Sequence, residues 1–218
     1  MHYCVYEDVI PLNVIDEILN FFNTNLSLRE NKNYMDKIND PWRYNVVNQL
    51  EPILSRFVNT EKNLGDNIYK HSYAYFPHTD THPSYDSINA LIPLFIEGNN
   101  YQPFVIFDQY CVNSKAKTWM ISEDTDTTFE KNSVERQKIS DDSDVIGCTN
   151  ESVDSHLYEN FLKNKHRPES LFYGLTGTAV TYKPGNLILF NSKHIHATGT
   201  MQAKYKIGLS LRFKGTLI

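Results

Sequence analysis

Apolar positions follow two periods along this chain. After an opening strand-like stretch at 3–7, Leu12, Ile15, Ile18, Leu19 and Phe22 recur at helical spacing. This spacing predicts an amphipathic helix over 12–23, with Pro11 where a first turn tolerates proline. Val46, Val47, Leu50, Leu54 and Phe57 predict a second helix over about 43–58, bent at Pro52. The period then shortens. NIYKHSYAYF (67–76), INALIPLF (88–95) and QPFVIFDQY (102–110) are β-branched and aromatic, and turn-forming residues separate them. LFYGLTGTAVTYKPG (171–185), NLILFNSKHIHA (186–197) and KYKIGLSLRF (204–213) add further strands. Helices first and strands after predict an α+β domain, a β-barrel or sandwich packed with N-terminal helices.

Residues 113–168 interrupt the pattern. Ser122 to Asp144 is polar and acidic with little periodicity, which reads as a solvated surface excursion; a lid over the site is the sharper alternative. HLYENFLKN (156–164) predicts a short helix. No internal repeat is visible. The expectation is one domain over 1–218 with a polar insertion at about 113–168.

Composition narrows the class. The net charge is −5 and the sequence pI about 5.9, which argues against a nucleic-acid partner, since such a partner requires a basic face. The three cysteines, Cys4, Cys111 and Cys148, are odd in number and dispersed. That argues against a disulfide framework or a cysteine zinc site and for reduced thiols in the cytoplasm. There is neither a basic segment followed by an apolar run at the N-terminus nor a long apolar stretch, so no signal peptide or membrane span is expected.

Candidate chemistry begins at His78-Thr79-Asp80. In an extended segment, positions i and i+2 point the same way, so an imidazole and a carboxylate converge. They need a third ligand from elsewhere. PGNLILFNSKHIHATG supplies a Pro184-Gly185 turn, a buried strand and two histidines, His194 and His196. Two histidines and one carboxylate form the facial triad that suits non-haem iron(II) and leaves coordination positions open. Lys206 follows His196 by ten residues through a segment able to turn, which predicts a hairpin with Lys206 on the strand beside His196. Arg212 lies six residues further on, on the same strand face. A buried charge there needs a partner. The bland reading of Lys206 is a surface lysine on an edge strand. Tyr73, Tyr75 and Asn89 are candidate hydrogen-bonding groups. His71 shares strand parity with Tyr73 and Tyr75 and reads first as a core histidine, while His82 reads as a loop residue.

Three stretches resemble the iron(II)/2-oxoglutarate-dependent dioxygenase superfamily, of the prolyl-hydroxylase and phytanoyl-CoA-hydroxylase kind. YAYFPHTDTHPSYDSINALIPL resembles its H-x-D segment and following strand. PGNLILFNSKHIHATG resembles the segment bearing the distal histidine, and KIGLSLRF the strand that opens with the cation for the co-substrate. With the N-terminal helices, the resemblance covers most of the chain outside 113–168. It implies a double-stranded β-helix, or jelly roll. It also implies iron held by His78, Asp80 and a distal histidine. In that family the distal histidine lies eleven residues after the strand-opening glycine, and from Gly185 that count reaches His196. The co-substrate 2-oxoglutarate would chelate the metal with dioxygen beside it, its far carboxylate on Lys206 or, failing that, Arg212, with Tyr75 and Asn89 near it. The chain departs from the family where GNNYQPFVIFD replaces a Gly-Gly-x-Thr element.

The implied activity is hydroxylation or demethylation of a small molecule or amino-acid side chain, with release of succinate and CO2. Two rivals keep the same residues. One is a non-catalytic, cupin-like metal- or ligand-binding module. The other is a metal-dependent hydrolase or isomerase that activates water.

Overall fold

The structure is a computed structural model and describes residues 3–26, 41–72, 74, 77, 79, 87–111, 145–164, 167 and 169–218. In chain order it contains β1 (Tyr3–Tyr6), α1 (Leu12–Leu26), α2 (Pro41–Leu54), β2 (Val58–His71), β3 (Ile88–Ile96) and β4 (Gln102–Cys111). Then come β5 (Val145–Ile146), α3 (Ser155–Leu157) continued by a wider turn at Tyr158–Leu162, a tight turn at Glu169–Phe172, β6 (Gly177–Tyr182), β7 (Leu187–Asn191), β8 (His194–Thr198) and β9 (Lys206–Leu217). No described helix is long and apolar enough to cross a membrane.

All described strand pairs are antiparallel. Five strands form one sheet in the order β1-β7-β3-β9-β2. In the second sheet β4 pairs with β5, β6 and β8. Alternation along the strands sorts their side chains onto faces. Ile207, Leu209, Leu211 and Phe213 of β9 cluster with Ile88, Ala90 and Ile92 of β3 and with Ile15, Ile18, Leu50 and Leu54 of the two helices. The opposite face carries Tyr69, Leu91, Ile188 and Phe190, which meet Phe104, Ile106, Val180 and Tyr182 of the second sheet. The two sheets therefore face one another across a shared core, as a β-sandwich does. Pro93 stands inside the central strand β3, beside a register shift at Pro93/Phe95, which is where a residue without an N–H is tolerated.

Three expectations change. The strand expected from 67 begins at Val58, and α2 ends at Leu54. The polar stretch 60–67 shows no alternation of its own; its backbone is held by pairing with the last residues of β9, a long-range partner that local pattern cannot reveal. Second, Lys206 does not lie on the strand beside His196. Strand β8 pairs with β4, whereas β9 pairs with β2 and β3, so residues 199–205 cross between sheets rather than closing a hairpin. For the same reason β9 is flanked on both sides, and the edge-strand reading of Lys206 fails. Third, the insertion is not wholly a surface excursion. Val153, Leu157, Tyr158 and Leu162 are buried against Val105, Phe107, Ile195 and Ala197, on the back of the second sheet. The acidic run 122–144 lies outside the described residues.

Candidate metal and co-substrate site

Strand β8 carries the site's histidines. Its five residues are all buried, because Ile195 and Ala197 pack on the back cluster while His194, His196 and Thr198 alternate to the sheet-facing side. The turn that leads into β7, the strand before β8, depends on Gly185, whose φ of 96° lies in the left-handed region. The backbone of Ser192 bonds Ser87 at the foot of β3, and their hydroxyls hydrogen-bond as well, so the β7–β8 turn is tied to the strand that follows the H-x-D segment.

His194 and His196 are each 3% exposed. The Nδ1–H of His196 donates to the carbonyl of His194 at 3.1 Å, and that of His194 to the carbonyl of Phe107 at 2.9 Å. Carbonyls only accept, so each ring carries a proton on Nδ1, and in the neutral imidazole that leaves Nε2 as the nitrogen able to ligate. This is the tautomer a metal-ligating histidine needs, with the backbone bond fixing the ring. Both histidines fit a metal equally on this count. They differ in place: the ring of His196 lies 4.8 Å from that of Phe190 and 5.5 Å from that of Phe104, inside the core between the sheets. His194 lies against Tyr110, further along β4.

Lys206 is 1% exposed. Its Nζ donates to Thr198 Oγ1 at 3.3 Å and sits 4.3 Å from the centre of the Tyr182 ring. Among the described residues no carboxylate lies within ion-pair distance of it. Burial alone pushes its pKa down to about 7. Tyr182, fully buried, donates to the carbonyl of Ile207 at 3.2 Å, which leaves its oxygen to accept from Tyr69 at 3.1 Å. Burial raises the Tyr182 pKa strongly, so the phenol stays neutral and cannot compensate the lysine. Gly208 is required here, since a Cβ would overlap both tyrosine hydroxyls.

The register separates the two candidate cations. Arg212 pairs with Asn89, and Asn89 with Phe190, so Arg212 and the fully buried Asn89 stand level with the neighbour of His196. Lys206 is six residues away along β9, about 20 Å. His71 lies opposite Lys206 in the register and packs on Tyr69. Thr198 lies between His196 and Lys206: it is two residues from His196 on one strand face, about 7 Å, and touches Lys206.

His78, Asp80, Tyr73, Tyr75 and His82 lie outside the described residues. Among the described residues no group of three metal-binding side chains forms. Sequence reasoning missed Thr198, Tyr182, Tyr69 and Arg167. The parity rule that paired Lys206 with Arg212 also puts Thr198 on the face of His196; the tyrosines carry no such signal, because aromatic residues in strands usually serve as core.

No family model matches the chain, and no curated protein matches it by sequence. Solved structures do. SnoN, a non-haem α-ketoglutarate-dependent epimerase from nogalamycin biosynthesis, superimposes with a TM-score of 0.55 at 9% identity, covering 98% of this chain and 78% of that one. SnoN is also known in complex with Fe3+, α-ketoglutarate and nogalamycin RO. A Pseudomonas putida prolyl-4-hydroxylase matches with a TM-score of 0.50 at 9% identity, over 98% of this chain and 93% of that one. Apo HygX from Streptomyces hygroscopicus matches with a TM-score of 0.51 at 10% identity, over 99% and 82%. At these identities the likeness is one of fold. The chain shares the fold of iron/2-oxoglutarate-dependent enzymes.

Proposed function

We propose that this chain is an iron(II)- and 2-oxoglutarate-dependent oxygenase whose sheets form a double-stranded β-helix. His78, Asp80 and His196 hold the iron, and Lys206 receives the far carboxylate of the co-substrate. Bound iron, 2-oxoglutarate and dioxygen supply the oxidation, with succinate and CO2 as by-products; the chain supplies orientation and a dry pocket. One observation carries the reading: Lys206 is a buried lysine beside Thr198, in the same core as His196. An ammonium there is costly without an anion, and a dicarboxylate bridging from the metal provides one.

The length of the site favours His196 over His194 as the distal ligand. A five-carbon dicarboxylate spans the rise from Thr198 to His196, whereas His194 is twice as far along β8. The same reasoning assigns the far carboxylate to Lys206. Arg212 and Asn89 stand at the metal end and would face the chelating end or the substrate. Tyr75 would hydrogen-bond the co-substrate. The substrate is a small molecule or an amino-acid side chain, hydroxylated or demethylated; the net charge of −5 speaks against nucleic acid.

Fe(II) and 2-oxoglutarate, added anaerobically, should give the visible charge-transfer band of the chelate. Admitting air should release succinate. Absence of both would overturn the oxygenase reading and leave a binding module. Turnover supported by zinc without oxygen would indicate a hydrolase or isomerase.

A further inference from the structure

At the open edge of β8 lies a buried arginine. Arg167 is 1% exposed. Burial lowers its pKa only to about 10, so it is charged at neutral pH. A buried guanidinium is kept only where strong hydrogen bonds offset its desolvation. Its Nη1 donates to the carbonyl of Thr198 at 2.7 Å, and its Nη2 reaches Thr200 Oγ1 at 3.4 Å. Its own carbonyl accepts from the Tyr158 hydroxyl at 2.9 Å, which anchors it to the helical segment packed behind the sheet.

Thr198 is the last residue of β8, and among the described residues β8 has a single strand partner, β4. Its carbonyl therefore bonds to a side chain where a further strand would otherwise supply a partner. The crossover beyond it is gripped from two sides. Gln102 of β4 donates to the carbonyl of Thr200 at 2.6 Å and accepts from the backbone of Gln202 at 3.0 Å. From the other side, Thr200 donates through its N–H to Phe161 and through its hydroxyl to Lys163. The side chain of Thr198 is the one that meets Lys206.

We propose that Arg167 is a positioning residue for the co-substrate: by fixing the Thr198 carbonyl it aims the Thr198 hydroxyl, and with it the Lys206 ammonium, at the far carboxylate. The inference rests on the reading of Lys206 given above. It gives the segment behind the sheet a role in co-substrate affinity although it touches neither metal nor ligand.

The test titrates 2-oxoglutarate anaerobically into Fe(II)-loaded full-length protein, reading the charge-transfer band. Iron affinity is measured separately, and the folded fraction by circular dichroism. R167M should raise the 2-oxoglutarate midpoint about tenfold, since outer residues that orient binding groups typically carry effects of that order. Iron affinity should change less than twofold, and R167K should recover part of the loss. In a T198V background, R167M should add less than twofold, because both changes act through one hydroxyl. A merely structural role would lower the band's amplitude with the folded fraction and leave its midpoint in place. That result, or fully additive losses in the double variant, overturns the proposal. If R167M does not fold, R167K and Y158F carry the test: both should shift the midpoint severalfold, and wild-type midpoints would overturn it. If the wild-type protein itself binds no 2-oxoglutarate, the oxygenase reading fails, and this inference with it.

Discussion

Lys206 is an ionisable group where solvent does not reach, and its protonation is therefore linked to both folding and binding. Burial lowers its pKa from 10.5 to about 7. Between those values the unfolded chain holds a proton that the folded chain has lost. The stability contributed by this group thus rises with pH across the window from about 7 to 10.5; below about 7 the fold carries the full cost of the buried ammonium. K206M should accordingly stabilise the metal-free protein most below pH 7, with the advantage shrinking towards pH 10, as read by urea unfolding at several pH values. A carboxylate ligand favours the ammonium, so wild-type affinity for 2-oxoglutarate should fall above pH 7 by up to about tenfold per pH unit. K206M should bind weakly at every pH. A flat wild-type profile would remove Lys206 from the site. The two histidines make the other test at this scale. H196A should abolish iron binding and H194A should weaken it far less, checked by equilibrium dialysis with Fe(II). The reverse order would transfer the ligand role to His194.

At the scale of elements, the segment 153–162 is the part of the chain whose reading changed most. It sits inside a polar insertion, yet Val153, Leu157, Tyr158 and Leu162 form a wall behind β4 and β8. Leu162 is fully buried. L162A should therefore cost about 2–5 kcal/mol of stability, measured by chemical denaturation. A loss near zero would return the segment to a solvated excursion. The helices and most strands were legible from period alone, because a helix at 12–26 and strands at 88–96 and 102–111 bury continuous faces of one local pattern. Strand β2 was only half legible: its first part, through Thr60 and Gly65, is polar and takes its extended form from β9. The relation of β8 to β9 was misread because seven intervening residues suit a hairpin and a sheet-to-sheet crossover equally well.

For the whole molecule, the arrangement places histidine, threonine and lysine in one core between two sheets, with packed layers outside each. Ligands that bind only this folded arrangement must stabilise it by mass action. Fe(II) with 2-oxoglutarate at about a hundred times its dissociation constant should add about 2.7 kcal/mol, or roughly 5–10 °C in melting temperature for a chain of this size. Anaerobic thermal scans check this, and the gain should require metal and co-substrate together. Equal stabilisation by 2-oxoglutarate without metal would separate the lysine's ligand from the metal site.

The amino-acid sequence alone determined the spacing of His78 and Asp80, the count from Gly185 to His196, and the shared parity of Lys206 with Arg212. These are local regularities, and in the described strands the geometry of an extended chain turns such parity directly into a shared face. Only the tertiary structure decided that Lys206 is buried, that it meets Thr198 across the core rather than along a hairpin, and that Arg167 grips the backbone of the same threonine. Those contacts depend on strands and segments far apart in the chain finding one another, and on which sheet each joins. No period along the sequence encodes that choice, because burying a charge is a property of the assembled layers and not of the residues beside it.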